Sequence, residues 1–262
     1  MKSKTDKQLE ALLNDTTVEV DLISRVDKYL HACCEACGCE GLPEPITRID
    51  HLLYELVEKI SHGSGGAGFV DTKKLTNLDL FCKEGRNLEF GLDENLDTQN
   101  VTSMMDLYHT CTTITAVPLL NTSKCKIMQG MFYNCYSLLE IPAIDTSEAT
   151  NMMYWAGNDR ALKTVHLIDA TNNNTFDYAF DNCNELETIS FVENSIKCPL
   201  DLHWSVKLSN VSLLSILKGL NLSVTGKTLK LPSVTETTIT GDTELNAAYN
   251  SALTAGWNIQ FI

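Results

Sequence analysis

The chain has 262 residues, 44% of them apolar, with 34 acidic against 20 basic side chains and a formal charge of −14. That balance excludes a sequence-independent nucleic-acid binder, which needs a basic surface to displace counterions, and it disfavours attraction to anionic lipid. No run reaches the ~18 apolar residues of a membrane span, so no membrane insertion is expected, and Met1-Lys2-Ser3-Lys4-Thr5 opens the chain without the apolar core of a secretory signal.

Residues 1–62 read as a helical anchoring or oligomerisation segment. Leu9, Leu12 and Leu13 mark a first short helix, and Val18, Leu22, Ile23, Val26, Leu30 and Cys33 recur at helical spacing. Gly38, Gly41, Pro43 and Pro45 break that run. Ile46, Ile49, Leu53, Leu56 and Ile60 then alternate by three and four, a short heptad seam. No compact core is evident in this segment. The seam is therefore expected to bury itself against copies of the chain, a trimer being one option, or against another protein. His31, Cys33, Cys34, Cys37 and Cys39 are the densest metal-type cluster, and Cys34-x-x-Cys37 has zinc-ligand spacing. No distant second pair is apparent. The reading adopted is therefore interface-packed or partly exposed thiols, with no metal or cofactor, and zinc on Cys33, Cys34, Cys37 and Cys39 is the alternative.

Residues 63–68, Gly-rich, read as a flexible linker. The run follows a helix and lacks a Gly-Lys-Ser/Thr ending, which excludes a phosphate loop. From Phe69 to Leu96 lies an entry segment in which Leu88, Phe90 and Leu92 alternate like a strand.

Val101 to Val192 repeats itself every 24 residues. Met104, Met128, Met152 and Phe176 share a register, as do Leu107, Met131, Trp155 and Ala179. Ile114, Leu138, Leu162 and Leu186 form a third column, followed by Val117, Ile141, Val165 and Ile189, then Leu120, Ile144, Ile168 and Val192. Cys111, Cys135 and Cys183 form a further one, with Asp159 in the odd slot. A period of roughly 20–29 residues with this spacing predicts a leucine-rich-repeat solenoid. One unit cannot bury its own apolar face, so units must stack. Cys acts here as a small apolar filler. A Cys111–Cys135 bridge is geometrically conceivable, but nothing signals an oxidising compartment.

The best-kept unit runs Met131-Phe132-Tyr133-Asn134-Cys135-Tyr136-Ser137-Leu138-Leu139-Glu140-Ile141-Pro142, then Ala143-Ile144-Asp145-Thr146-Ser147. It resembles the BspA-like leucine-rich repeats of bacterial surface proteins, whose pattern runs MF-x-x-C-x-x-L-x-x-I-P-x-x-D-T-S and then T-N-M. Thr150-Asn151-Met152 repeats the last element. The third unit departs from the pattern, with Trp155-Ala156 for Met-Phe and Asp159 for Cys. Its arc is expected to bulge outward or to carry a polar contact.

Past Val192 the period fails. Leu200-Asp201-Leu202 and Leu229-Lys230-Leu231 read as strand-like triplets. Val211, Leu214 and Leu217 give a helix stripe stopped by Gly219, and Leu245, Ala248, Tyr249 and Ala252 give another, started by Asp242 and stopped by Gly256. The closing Ala255-Gly256-Trp257-Asn258-Ile259 resembles the end of many phage-encoded leucine-rich-repeat proteins. The run Gly41 to Asp50, then the linker and the repeats, is similar in layout to structural proteins of phages of gut bacteria.

No catalytic constellation is legible. His109, His166 and His203 fall at unrelated registers, and no Gly-x-Ser-x-Gly elbow occurs. Asp97, Asn121, Asp145 and Asp169 align as turn-capping groups, with weak calcium binding as the alternative. The displayed strand face should carry Ala116, Glu140, Thr164 and Thr188, with His166 beside them. It holds no aromatic platform for sugar stacking, so Trp204 and Tyr249 on the cap are alternative receptor contacts.

The expected architecture is thus α/β: a leucine-rich-repeat solenoid with a C-terminal cap over 69–262, and an N-terminal helical appendage. The expected function is a non-catalytic virion display protein. Its helices would grip a capsid or tail protein, and its solenoid would meet a host-surface glycan or protein. The alternative is a bacterial cell-surface adhesin of the BspA-like class, against which the missing signal segment counts.

Overall fold

The computed structural model describes residues 76–83 and 97–262. They lie in one compact unit, Leu75–Ile262; a second unit, Met1–Lys74, lies outside the described residues. The heptad seam, the Cys33–Cys39 cluster and the glycine linker fall in that second unit, and Leu88, Phe90 and Leu92 also lie outside the described residues.

Six strands and three helices follow Val101. They are β1 (Glu140–Ile141), β2 (Thr164–Ile168), β3 (Thr188–Phe191), β4 (Leu200–Asp201), α1 (Asn210–Gly219), β5 (Thr228–Leu231), α2 (Glu236–Gly241), α3 (Thr243–Thr254) and β6 (Asn258–Phe261). They make two separate three-stranded parallel sheets, β1-β2-β3 and β4-β5-β6. This corrects the expected leucine-rich-repeat solenoid, which would have carried one unbroken sheet with a strand in every repeat. Before Glu140 the strand-type pairing between units is limited to isolated parallel bridges, Asn77 to Ser103, Ser103 to Ile127 and Ile127 to Asn151.

The sheet stops at β3 for a specific reason. The next segment is a helix, and its serines take the bonds a further strand would have taken. Ile189 N–H donates to Ser212 Oγ at 3.0 Å and Phe191 N–H to Ser215 Oγ at 2.9 Å. A covered edge cannot recruit another strand. The helix starts where Ser209 caps Ser212 N–H. It buries Leu213, Ile216 and Leu217, whereas Val211, expected on the inner stripe, is 77% exposed. A further correction concerns register. Thr164 pairs with Thr188 and Val165 with Ile189, but Leu167 pairs with Ser190 and Ile168 with Phe191. One extra residue in β2, at His166, makes a bulge. Phe191 therefore fills the interior in place of Val192, which is half-buried.

Within 101–192, residues 24 apart do share environments. The Met104, Leu107 and Ile114 columns are all at most 2% exposed. The turn arcs stack as well. Asp106 N–H donates to Gln129 O at 2.8 Å, Gly130 to Met153 O at 2.9 Å and Tyr154 to Asp177 O at 2.9 Å. Each arc uses two left-handed residues. Asp106, Gly130, Tyr154 and Tyr178 have φ of +54 to +60°, and Thr110, Asn134, Asn158 and Asn182 of +56 to +67°. Such a conformation costs a non-glycine residue about 1–2 kcal/mol; the bonds between arcs offset it. A buried threonine column adds side-chain links: Thr98, Thr122 and Thr146 Oγ1 donate to Asn121, Asp145 and Asp169 carbonyls at 2.9, 2.7 and 3.1 Å.

Trp155 does not bulge outward. Its indole packs 5.6 Å from the Phe132 ring and 6.1 Å from Phe180, filling the room that Ala156 leaves in the column Tyr108, Phe132, Ala156, Phe180. At the C-terminal end Asp242 Oδ1 accepts Glu244 and Leu245 N–H, starting α3, and Gly256 at φ +95° turns the chain into β6.

Candidate binding face

The structure brings together most of the face expected from sequence. Glu140, Thr164 and Thr188 are direct partners across β1, β2 and β3. The bulge aims His166 back at Glu140, whose Oε1 lies 2.6 Å from His166 Nε2. Both side chains are about half exposed, and such a pair contributes little to stability. Ala116 is exposed but lies outside the strands. The row is small and already self-paired, and it offers no convergent chemistry.

A second face, around the turn arcs, was not anticipated. His109, Tyr133, Tyr154 and Tyr178 form a continuous row of rings. Their centroids are 5.2, 5.3 and 5.0 Å apart, close to the ~4.8 Å spacing of neighbouring strands. Tyr154 and Tyr178 are nearly parallel at 8°, while Tyr133 is turned 71° to Tyr154. Tyr178 is 53% exposed, and Tyr133, Tyr154 and His109 are half-buried. The expectation of no aromatic platform concerned the strand face; none of these four rings lies in a strand. The row draws on two columns, so no single register reveals it. His109 and Tyr133 share one column, in which the next residues are Gly157 and Asp181; Tyr154 and Tyr178 share the other, preceded by Asp106 and Gly130. Gly157 makes the join possible. A Cβ there would lie 3.1 Å from Tyr133 Cδ2 and Cε2, and 2.7 Å from Tyr178 O.

An amide ladder runs beside the rings. Asn158 Nδ2 donates to Asn134 Oδ1 at 3.0 Å, and Asn182 Nδ2 to Asn158 Oδ1 at 2.7 Å. Each amide has two donors and two acceptor lone pairs, so the ladder leaves hydrogen-bonding capacity at the surface. Burial pushes the Tyr133 phenol up, with Tyr154 and Tyr136 adding to the rise and the Asn158 hydrogen bond opposing it. The row ends at a charged cluster. Burial and then the Asp201 charge push Asp181 up, against His203 and Lys230. Burial also acts to raise Asp201, but bonds from Lys230 Nζ at 2.9 Å and His203 Nδ1 at 2.5 Å outweigh it and hold it low. Trp204, 42% exposed, lies beside His203 with centroids 4.6 Å apart. Tyr249 packs 6.0 Å from Phe261 and lies half-buried on α3.

The remaining candidates are structural. Asp97, Asn121, Asp145 and Asp169 each accept the N–H two residues on, at 2.9–3.2 Å. The six described cysteines are buried thiols. Cys135 and Cys183 Sγ donate to Tyr108 O and Ala156 O at 3.1 Å. Burial drives the Cys82, Cys125, Cys135, Cys183 and Cys198 thiols up, Cys125 to about 12 and Cys198 to about 11, away from nucleophilic use. Asp159 is fully buried among them, and its Oδ1 accepts Cys135 N–H at 2.7 Å. Among the described residues, no group of three or more His, Cys, Asp or Glu is placed to hold a metal ion.

A family model described as "Mycoplasma protein of unknown function, DUF285" matches residues 53–171. The matched stretch includes Tyr133, Gly157 and Tyr154 and ends before Tyr178. No curated protein and no solved structure matches the chain.

Proposed function

We propose that this is a non-catalytic display protein of a bacteriophage particle. In this reading residues 1–62 join copies of the chain to one another and to a capsid or tail protein, and the Leu75–Ile262 unit presents a binding face to the host surface. The observation that carries it is the row Tyr133, Tyr154 and Tyr178, fixed at one ring per unit. Tyrosine gives large amphipathic contact area at low entropic cost, which is why it is enriched where proteins bind. The similarity of the closing Ala255–Ile259 run to phage-encoded proteins supports the particle. The similarity of Met131–Ser147 to BspA-like repeats of bacterial surface proteins supports a second reading, a cell-surface adhesin. Both readings use the same face. Gold-labelled antibody against the chain decides between them under the electron microscope. Label on intact particles supports the first; label confined to the envelope of the bacterium that encodes the chain overturns it.

A further inference from the structure

We propose that the tyrosine row and its amide ladder bind a neutral, hydroxyl-rich glycan chain laid along the stacking direction. The inference rests on the reading of this face as the binding face and names its ligand. Three observations carry it. First, a ring recurs about every 5 Å (5.3 and 5.0 Å between centroids from Tyr133 to Tyr178), close to the length one hexose adds to an extended chain, so successive sugars of a linear chain each meet an aromatic ring. Second, the rings differ in attitude. Tyr133 is turned 71° from Tyr154 and rests against Gly157, while Tyr178 ends the stack and is 53% exposed. Rings of this kind meet the C–H faces of sugars through apolar contact and present phenol oxygens at their rims.

Third, the polar groups beside the rings suit hydroxyls rather than charges. Asn134, Asn158 and Asn182 are linked to one another through one donor and one acceptor at each step, which fixes their orientation and leaves further donors and lone pairs. Each can both give and take a hydrogen bond, as a sugar hydroxyl requires. A carboxyl, Asp181, stands at the far end of the row, on a chain of formal charge −14, which disfavours uronic or sialic acids. Lys230 and His203 are already committed to Asp201 and offer no open cationic subsite.

The test titrates the full chain, by calorimetry, with neutral hexasaccharides of glucose, mannose and N-acetylglucosamine, and with hexagalacturonate. At least one neutral hexasaccharide should bind, and hexagalacturonate should not. Tyr178→Ala should weaken binding about tenfold, and Tyr178→Phe, which keeps the ring, by much less. Leu119→Ala, an exposed change off the row, should leave it unchanged, and circular dichroism of each variant confirms folding. Absence of binding to all the neutral sugars, equal binding of hexagalacturonate, or indifference to Tyr178→Ala overturns the proposal. If gold label decorates particles while these titrations fail, the glycan inference falls and the display reading stands.

Discussion

Asp159 occupies a thiol's place, and replacing it by the residue of its column is expected to stabilise the protein. The carboxyl is fully buried; Oδ1 accepts Cys135 N–H at 2.7 Å and Oδ2 has no hydrogen-bond partner. In Asp159→Cys the lost bond costs little, because Cys135 N–H also donates to Phe132 O at 3.1 Å. The introduced thiol can donate to a carbonyl one unit back, as Cys135 and Cys183 do. Removing a buried oxygen without a partner recovers roughly 1–3 kcal/mol. Allowing for the lost bond, the net gain is about 1–2 kcal/mol, or roughly 2–8 °C in Tm for a chain of this size. The pH dependence gives a second handle. Burial pushes Asp159 well above the ordinary carboxyl range, with the Cys135 N–H opposing. The folded state therefore holds a proton that the unfolded state gives up above about pH 4. That contribution is fully present below the unfolded value and is lost as pH rises toward the folded one. The advantage of Asp159→Cys should accordingly grow as pH rises above about 4. Urea unfolding followed by circular dichroism at several pH values measures both effects. A destabilised variant, or a difference constant with pH, would refute the reasoning.

Other substitutions probe the links between units. Thr146 Oγ1 both donates to Asp169 O and accepts Asp169 N–H at 2.8 Å, whereas Thr122 Oγ1 only donates to Asp145 O. Thr146→Val should therefore cost about 2 kcal/mol and Thr122→Val about 1; denaturant midpoints in the reverse order would contradict the bond assignment. Gly157→Ala should cost about 1–3 kcal/mol, since the new methyl meets the Tyr178 carbonyl and the Tyr133 ring. A neutral or stabilised variant in the same assay would mean that the tight approach is absent.

The interior was legible in the sequence because burial follows the side chain alone: Met104, Leu107, Ile114 and their successors are apolar and all lie inside. The sheet boundaries were not. Whether β3 gains another partner depends on Ser212 and Ser215, residues with no strand signature that act through a helix. The His166 bulge likewise leaves no compositional mark, and it exchanges Val192 for Phe191 in the core. The surface face was half legible. Asn134, Asn158 and Asn182, like Thr98, Thr122 and Thr146, recur at the 24-residue spacing, but only the Asp97, Asn121, Asp145 and Asp169 column carries a turn-capping signature that marks a polar register. The tyrosine row crosses from one register to another at Gly157, and that step requires three-dimensional placement.

The stacking of units at a 24-residue offset is what aligns the rings, and paired cysteines test it most directly. Glu140 and Thr164 are partners on adjacent strands, about 4.8 Å apart and within disulfide range, whereas Glu140 and Thr188 are two strands apart, at roughly twice that distance. Under mild oxidation, peptide mapping by mass spectrometry should find a 140–164 link in Glu140→Cys/Thr164→Cys and no 140–188 link in Glu140→Cys/Thr188→Cys. A 140–188 link formed as readily as the first, or no 140–164 link, would contradict the account.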